Sequence, residues 1–285
     1  MAFSRRSFLK VSGIITSAAA LGGLSLLKGC AFSRNNKPFG IQLWSLRDVI
    51  GAEPRGTLAQ IAEFGYKQIE SYEGEMGIYW GMTNTEFKNY LDDLGLEMVS
   101  SHANVFEDFE RKADEAAEIG IDYLVCPWIG PQESMDDYKV MADQFNKIGE
   151  VAREKGIRFA YHNHDYSFKM IDGEYPQDIL IENTDPGLVD FQLDIYWVVA
   201  AGEDPLHWIE KHSGRYTSSH VKDLMNGDEP ESTMLGTGEI DFPPILEKAK
   251  QHGMEYFFTE QEDFTDTNPV DAARENADFM RELNW

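Results

Sequence analysis

Residues 159–165, Phe159-Ala160-Tyr161-His162-Asn163-His164-Asp165, run from an apolar segment into two imidazoles and a carboxylate. The segment follows the turn signal Lys155-Gly156 and is rich in β-prone residues, which predicts the end of a buried strand. Because side chains alternate along a strand, His162 and His164 share one face if the extended conformation continues. Two imidazoles on one face indicate a metal or proton-transfer site; histidines that only make hydrogen bonds at a strand end are the alternative.

The same change from apolar to polar residues recurs along the chain from residue 39 to the C-terminus. Segments of strand character alternate with segments of helical period, which predicts an α/β fold with a parallel sheet. Eight such units in about 250 residues indicate a single-domain (β/α)8 TIM barrel. A doubly wound sheet is less favoured, because no Gly-x-Gly-x-x-Gly follows the first strand. The predicted strands cover residues 39–44, 67–72, 96–102, 123–128, 157–162, 188–194, 216–221 and 256–261, and the predicted helices cover residues 56–64, 85–94, 106–119, 135–154, 176–182, 205–212, 242–251 and 270–283.

Glycines that follow helical segments support this division of the chain, since glycine is the usual residue just beyond a helix C-terminus. A barrel also places its active groups at the C-terminal ends of its strands. Polar and aromatic residues stand at those positions in every predicted strand. The helix-ending glycines are Gly65, Gly95, Gly120, Gly156 and Gly253, and the strand-end residues are Gln42, Trp44, Glu70, His102, Trp128, His162, His164, Asp194, His220, Lys222, Asp223, Glu260 and Glu262.

Four of these strand-end residues form a candidate metal site: His162, Asp194, His220 and Glu260. Asp194 ends an otherwise apolar run, where a carboxylate is costly unless it is paired or bound to a metal. Two imidazoles with two carboxylates suit Mn²⁺, Zn²⁺, Co²⁺ or Fe²⁺ better than Mg²⁺ or Ca²⁺, which prefer oxygen ligands. We therefore expect one divalent cation at the barrel mouth.

From residue 39 to residue 285 the chain resembles the xylose isomerase-like barrels known as sugar phosphate isomerases/epimerases. The resemblance implies a metal held by Glu, Asp, His and Glu from strands five to eight, and Asp194, His220 and Glu260 match the last three. His162 replaces the first glutamate, which places a symmetric epimerisation by two carboxylates in doubt. The motifs that carry the resemblance are Gly40-Ile41-Gln42-Leu43-Trp44-Ser45, Tyr161-His162-Asn163-His164-Asp165, Gln192-Leu193-Asp194-Ile195-Tyr196-Trp197, His220-Val221-Lys222-Asp223, Gly236-Thr237-Gly238-Glu239-Ile240-Asp241 and Thr259-Glu260-Gln261-Glu262.

The implied chemistry is removal of the proton next to a sugar carbonyl, because a metal on neighbouring sugar oxygens stabilises the enediolate. Glu260 is then the main base, and His162 is a ligand or a second base. Lys222 either holds the developing oxyanion or forms an ion pair with Asp223 or Glu260. The remaining candidates face the substrate or serve the packing: Trp44 and Trp128 as walls, and Glu70, His102 and His164 as polar contacts.

Residues 1–30 have the layout of an export signal, and residues 31–38 that of a tether. Residues 4–10, Ser4-Arg5-Arg6-Ser7-Phe8-Leu9-Lys10, resemble a twin-arginine signal, which favours loading of the metal before export. The segment Leu27-Lys28-Gly29-Cys30 resembles a lipoprotein cleavage site with Cys30 as the lipidated residue; a retained membrane anchor is the alternative. We expect the other cysteine, Cys126, to stay reduced and buried.

The net charge of −25 over 285 residues argues against nucleic acid or an anionic lipid surface as the main partner. The expected partner is a small carbohydrate, with membrane contact only through the lipid anchor; a homodimer stays open. Phosphorylated sugars are scarce outside the cytoplasm, so we expect a neutral or oxidised sugar or glycoside. A 3-keto-glycoside lyase or hydrolase on the same site and a non-catalytic sugar-binding lipoprotein are the alternatives. Phosphodiester cleavage is disfavoured by the acidity.

Overall fold

A computed structural model describes residues 37–225, 227 and 230–285. Eight parallel strands close into a barrel in which each strand pairs with its neighbours in the chain, so the predicted TIM barrel is confirmed. The predictions for the export signal, Cys30 and most of the tether lie outside the described residues. The barrel strands are β1 (Gly40–Gln42), β2 (Gln68–Tyr72), β3 (Glu97–His102), β4 (Tyr123–Cys126), β5 (Arg158–His162), β6 (Val189–Asp194), β7 (Tyr216–Val221) and β10 (Tyr256–Thr259).

Helices pack around the barrel, and the eight that were predicted are all present, with ends that differ from the prediction by at most a few residues. Two short helices were not predicted, α1 and α7, and neither were the 3-10 helices Leu43–Leu46 and Asp165–Phe168. The helices are α1 (Arg47–Ile50), α2 (Pro54–Glu63), α3 (Asn84–Leu94), α4 (Phe109–Ile119), α5 (Met135–Lys155), α6 (Pro176–Glu182), α7 (Ile195–Ala200), α8 (Pro205–Lys211), α9 (Phe242–Gln251) and α10 (Pro269–Glu282).

The glycine signals explain why the helix ends were predicted well. Gly95, Gly120 and Gly156 each cap a helix in the left-handed conformation, which residues with a Cβ atom rarely adopt. Gly65 and Gly253 also have positive φ, one residue beyond the capping position of α2 and α9.

Strand register brings the predicted site residues to one level of the barrel. His162 in β5 pairs with Gln192 in β6, and Asp194 at the end of β6 pairs with His220 in β7. The pairing between β7 and β10 continues to Thr259, so Glu260 is the first residue beyond the C-terminal end of β10. The C-terminal ends of four consecutive strands therefore meet on one side of the mouth.

Beyond β7 the chain forms a two-stranded antiparallel hairpin, β8 (Asp223–Met225) with β9 (Glu231–Thr233). Asp223 supports this loop, because its carboxylate accepts hydrogen bonds from the backbone of Gly236 and Gly238 at 2.9 and 3.0 Å. A Cβ atom on Gly238 would lie 2.4 Å from Asp223 Oδ1, so glycine is required there. The suggested ion pair of Lys222 with Asp223 is thus wrong, since Asp223 is already satisfied by backbone amides.

Cys126 is the last residue of β4; it is buried and makes no disulfide, as predicted. Burial raises the pKa of its thiol to about 12, which leaves it unreactive at neutral pH. Within the described part of the chain, every helix is too short or too polar to cross a membrane.

Candidate active site

A cavity of about 740 Å³ opens at the C-terminal mouth of the barrel. Six of the predicted site residues line it, and four others lie beneath it with side chains that are fully or almost fully buried. The lining residues are Trp44, His102, Trp128, His162, His164 and Glu260, and those beneath are Glu70, Asp194, His220 and Lys222.

Three of the four predicted metal ligands, Asp194, His220 and Glu260, form one cluster, and the fourth, His162, lies next to it at the cavity. His220 Nδ1 lies 3.0 Å from Glu260 Oε2 and 3.7 Å from Asp194 Oδ2, and His162 Nε2 lies 3.8 Å from the same Asp194 oxygen. Donor atoms of Asp194, His220 and Glu260 all lie within 4.8 Å of one another. These are distances at which ligand atoms sit when they share one ion, so the arrangement fits a divalent cation.

One oxygen in this group has no hydrogen-bond partner among the described residues. Asp194 Oδ2 is buried and unpaired, although Oδ1 of the same carboxylate caps α7 by accepting from Trp197 N at 3.2 Å. A buried carboxylate oxygen without a donor is costly, and a bound cation would remove that cost.

Hydrogen bonds behind the imidazoles fix which nitrogen each presents. Gln192 donates through Nε2 to Glu70 Oε2 at 2.8 Å, so its Oε1 is an acceptor. His162 Nδ1 therefore donates to Gln192 Oε1 at 3.0 Å, which leaves Nε2 as the lone-pair nitrogen that faces Asp194. On the other imidazole, His220 Nε2 donates to Glu70 Oε1 at 2.6 Å and leaves Nδ1 on the ligand side. Carboxylate or amide groups commonly orient metal-binding histidines in this way.

The electrostatics of the cluster favour a positive charge at its centre. Burial would raise the pKa of Glu70, but the charges of His102 and His220 lower it to about 2. Burial would likewise raise the pKa of Glu260, but Lys222 and His220 lower it well below its ordinary range. Burial would lower the pKa of His220, but Glu260 and the other carboxylates around it raise it well above its ordinary value. A cation on Nδ1 would take the place of that proton.

The three imidazoles that line the cavity have lowered pKa values; burial lowers that of His102, although the charge of Glu70 opposes the shift. Burial lowers the pKa of His162 well below its ordinary value, and burial together with the charge of Lys222 lowers that of His164 to about 3. His162 is thus in the protonation state that binds metals. His164 lines the cavity beside Trp128, and its Nδ1 is buried without a hydrogen-bond partner among the described residues.

Two predicted substrate contacts do not reach the cavity. Glu70 is fully buried, and its carboxylate is taken up by hydrogen bonds within the protein, so the structure corrects it to a supporting residue. Lys222 is also fully buried, between the rings of Tyr196 and Trp197, and pairs with Glu262 at 2.9 Å and with Glu260 at 3.5 Å. The alternative prediction that Lys222 forms an ion pair with Glu260 is therefore confirmed, and Glu262 is its second partner.

Sequence reasoning missed Gln192 and Trp197. Gln192 is fully buried and accepts from His102 Nε2 at 2.8 Å in addition to His162, so it joins three members of the cluster. The available signal was its position two residues before Asp194 on one strand, which places both side chains on the same face. Trp197 lines the cavity from α7, the helix that was not predicted.

We expect Gln192→Met to lower divalent-metal affinity by about 10- to 100-fold, because methionine cannot accept from His162 Nδ1 and the imidazole loses its fixed orientation. Isothermal titration calorimetry with Mn²⁺ or Zn²⁺ measures this. Gln177→Met is the matched control, since Gln177 is equally buried but bonds Tyr216 away from the cluster. Equal losses in the two variants would mean that Gln192 serves only the packing.

Comparison with known proteins gives a consistent classification. The model of the family described as xylose isomerase-like TIM barrel matches residues 58–283. An inosose dehydratase from Geobacillus thermodenitrificans (strain NG80-2) is 30% identical over 170 residues, which are 53% of this chain and 56% of that protein. The chain thus spans about half the length of the curated relatives it matches.

Solved structures agree on the fold. A sugar phosphate isomerase/epimerase from Parabacteroides distasonis ATCC 8503 superposes with a TM-score of 0.74 at 28% identity and covers 88% of this chain and 96% of that one. The IolI protein, solved with a bound zinc atom, superposes with a TM-score of 0.68 at 13% identity over 85% of this chain and 95% of its own. The inosose dehydratase and the sugar phosphate isomerase/epimerase are carbohydrate-modifying enzymes by name, and the chain belongs to the xylose isomerase-like TIM-barrel family.

Proposed function

We propose that this protein is a divalent-metal-dependent enzyme that removes the proton next to a sugar carbonyl. The observation that carries the proposal is Asp194 Oδ2, which is buried without a hydrogen-bond partner among the described residues and faces Nε2 of His162 and Nδ1 of His220. With Glu260 these residues would hold Mn²⁺, Zn²⁺ or Co²⁺ in preference to Mg²⁺. The bound cation would supply Lewis acidity to the sugar oxygens.

Glu260 is the residue placed to accept the proton. It lines the cavity, and the neighbouring Lys222 and His220 keep it ionised. A carboxylate with so low a pKa is a weak base, so it depends on a substrate whose C–H bond has been made acidic. Lys222 helps to hold Glu260 and Glu262 in place and does not contact the substrate itself.

Elimination from a 3-keto-glycoside is the second candidate, and the shortage of bases favours it. His162 donates through Nδ1 to Gln192 and would ligate metal through Nε2, so neither nitrogen is free to act as a second base. The other carboxylates that line the cavity are each held in an ion pair, Glu73 with Lys112, Asp165 with Lys169 and Glu262 with Lys222. Epimerisation needs a proton donor on the second face, whereas elimination needs one base and a leaving group. The resemblance to an inosose dehydratase supports this candidate.

Metal analysis of the purified protein, followed by a screen of keto-sugars and 3-keto-glycosides for incorporation of solvent deuterium, tests the proposal. We expect about one divalent ion per chain and exchange at the carbon next to the carbonyl. A sugar-binding lipoprotein without activity would bind a sugar and exchange nothing, and that result would overturn the proposal.

We also propose that the protein is exported and anchored to the cell envelope through a lipid on Cys30. The support is the sequence of residues 1–30 alone, with its paired arginines and the segment that ends in Cys30. Mass spectrometry of the protein from its native host should find a lipid-modified cysteine as the first residue. An intact segment from Met1, or an unmodified N-terminus beyond Cys30, would contradict the anchor.

A further inference from the structure

The cavity at the barrel mouth has two unlike halves. The candidate metal ligands stand on β5, β6 and β7 and just after β10. The opposite half, here called the aromatic half, is formed by Trp44 after β1, Phe106 after β3 and Trp128 after β4. These three side chains are 41%, 47% and 53% exposed. Large aromatic faces left open beside a site are typical of surfaces that bind a ring.

Every charged residue that lines the cavity is acidic, apart from the neutral histidines. Glu73, Asp165, Glu260 and Glu262 reach it, while neither lysine nor arginine lines it in the described part of the chain. The lysines nearby already form ion pairs within the protein. Lys112 pairs with Glu73 at 2.7 Å. Lys169 likewise pairs with Asp165, and Lys222 is buried against Glu262.

The guanidinium of Arg47 lies against the Trp44 ring, and its hydrogen bonds go to the protein. It donates to the carbonyl oxygens of Trp44 and Glu262 at 3.1 and 2.7 Å and stacks 5.2 Å from the Trp44 ring. A phosphate or carboxylate on the substrate would therefore enter an acidic cavity without the arginine or lysine that recognises such groups.

A bound divalent cation does not reverse this balance. The charges of Glu70, Asp194, Glu260 and Glu262 exceed those of the cation and Lys222 together. The ion would also be engaged by its ligands and by the sugar oxygens. With a divalent cation bound, the cavity would therefore still offer no net positive charge to an anionic sugar.

The cavity volume of about 740 Å³ lies in the upper part of the range of about 300–1,000 Å³ that is usual for ligand pockets. One sugar ring at the metal side would leave the aromatic half empty. We propose, on the basis of the proposed function, that the substrate is an uncharged glycoside with two rings. Its keto-sugar ring lies beside Glu260, and its second ring, a sugar or an aryl group, packs against Trp44, Phe106 and Trp128.

Calorimetry with metal-loaded protein tests this without turnover. The probes are glucose, both anomers of phenyl glucoside, glucose 6-phosphate and glucuronate. One anomer of phenyl glucoside should bind at least about 10-fold tighter than glucose, since a buried aromatic contact contributes about that much. Neither anion should bind more tightly than glucose. Tighter binding of glucose 6-phosphate, or equal binding of glucose and both phenyl glucosides, would overturn the inference.

Variants locate the second ring. Trp44→Ala and Trp128→Ala should each lower the affinity for phenyl glucoside by about 10-fold while glucose affinity and metal content stay unchanged. Trp285→Ala is the matched control, because that ring packs against Phe257 outside the cavity. An equal loss for glucose and phenyl glucoside in both variants would contradict a separate position for the second ring. Metal content and deuterium exchange decide on the proposed function independently of these affinities.

Discussion

Replacing Asp194 by asparagine is expected to lower the affinity for a divalent cation by more than about 100-fold, because changing even a group behind a ligand costs about 10- to 100-fold. Asparagine keeps Oδ1, which accepts from Trp197 N and begins α7, so the backbone around the site is preserved. The variant loses the charge on the oxygen that lies between His162 and His220.

The metal-free Asp194→Asn protein should stay folded, because asparagine has the same size and keeps the oxygen that caps α7. Asp190→Asn is the matched control. Asp190 is buried in the same strand but pairs with Arg158, away from the cluster. Calorimetric titration with Mn²⁺ and thermal denaturation measure both quantities. Wild-type metal affinity in Asp194→Asn would show that this oxygen is not a ligand.

Replacing Glu260 by glutamine is expected to lower the rate of deuterium exchange at the substrate carbon by about 10²- to 10⁴-fold, the usual contribution of a general base. Much of the metal should remain, because the amide oxygen still ligates weakly and the other three ligands are unchanged. The measurement is mass-spectrometric exchange in deuterium oxide, with metal content determined on the same sample.

Glu262→Gln separates the two carboxylates that share Lys222. Glu262 also lines the cavity, and its pKa is raised by burial, so it is the competing base. We expect it to keep most of the exchange activity. If Glu262→Gln abolished exchange and Glu260→Gln did not, the roles assigned here would be exchanged.

The barrel could be predicted because its two signals are local. Alternation of apolar strands with helical segments gave eight units, and the glycines after α3, α4 and α5 marked where those helices end. Helix α7 was missed because it follows β6 without a loop: Asp194 is both the last residue of the strand and the residue whose side chain caps the helix. An aspartate followed by Ile195 and further apolar residues is a weak signal of a helix N-terminus.

That the candidate ligands lie close together could also be predicted, because the C-terminal ends of neighbouring parallel strands meet in any closed barrel. How deeply each side chain is buried in the barrel could not be predicted. Glu70 lies two residues before the end of β2 and points into the layer below the cavity. Lys222 directly follows β7, but its side chain is buried, and its two ion pairs are with Glu260 and Glu262 after β10. Gln192 carries no charge, so its role became visible only through the hydrogen bonds it makes.

The most direct test of the proposed metal site is an anomalous-scattering measurement on crystals of the protein grown with Mn²⁺ or Zn²⁺. We expect one strong peak at about 2.0–2.3 Å from His162 Nε2, Asp194 Oδ2, His220 Nδ1 and a carboxylate oxygen of Glu260. A peak bound by other residues, or no peak beside Asp194 at saturating metal, would contradict the site and the chemistry built on it.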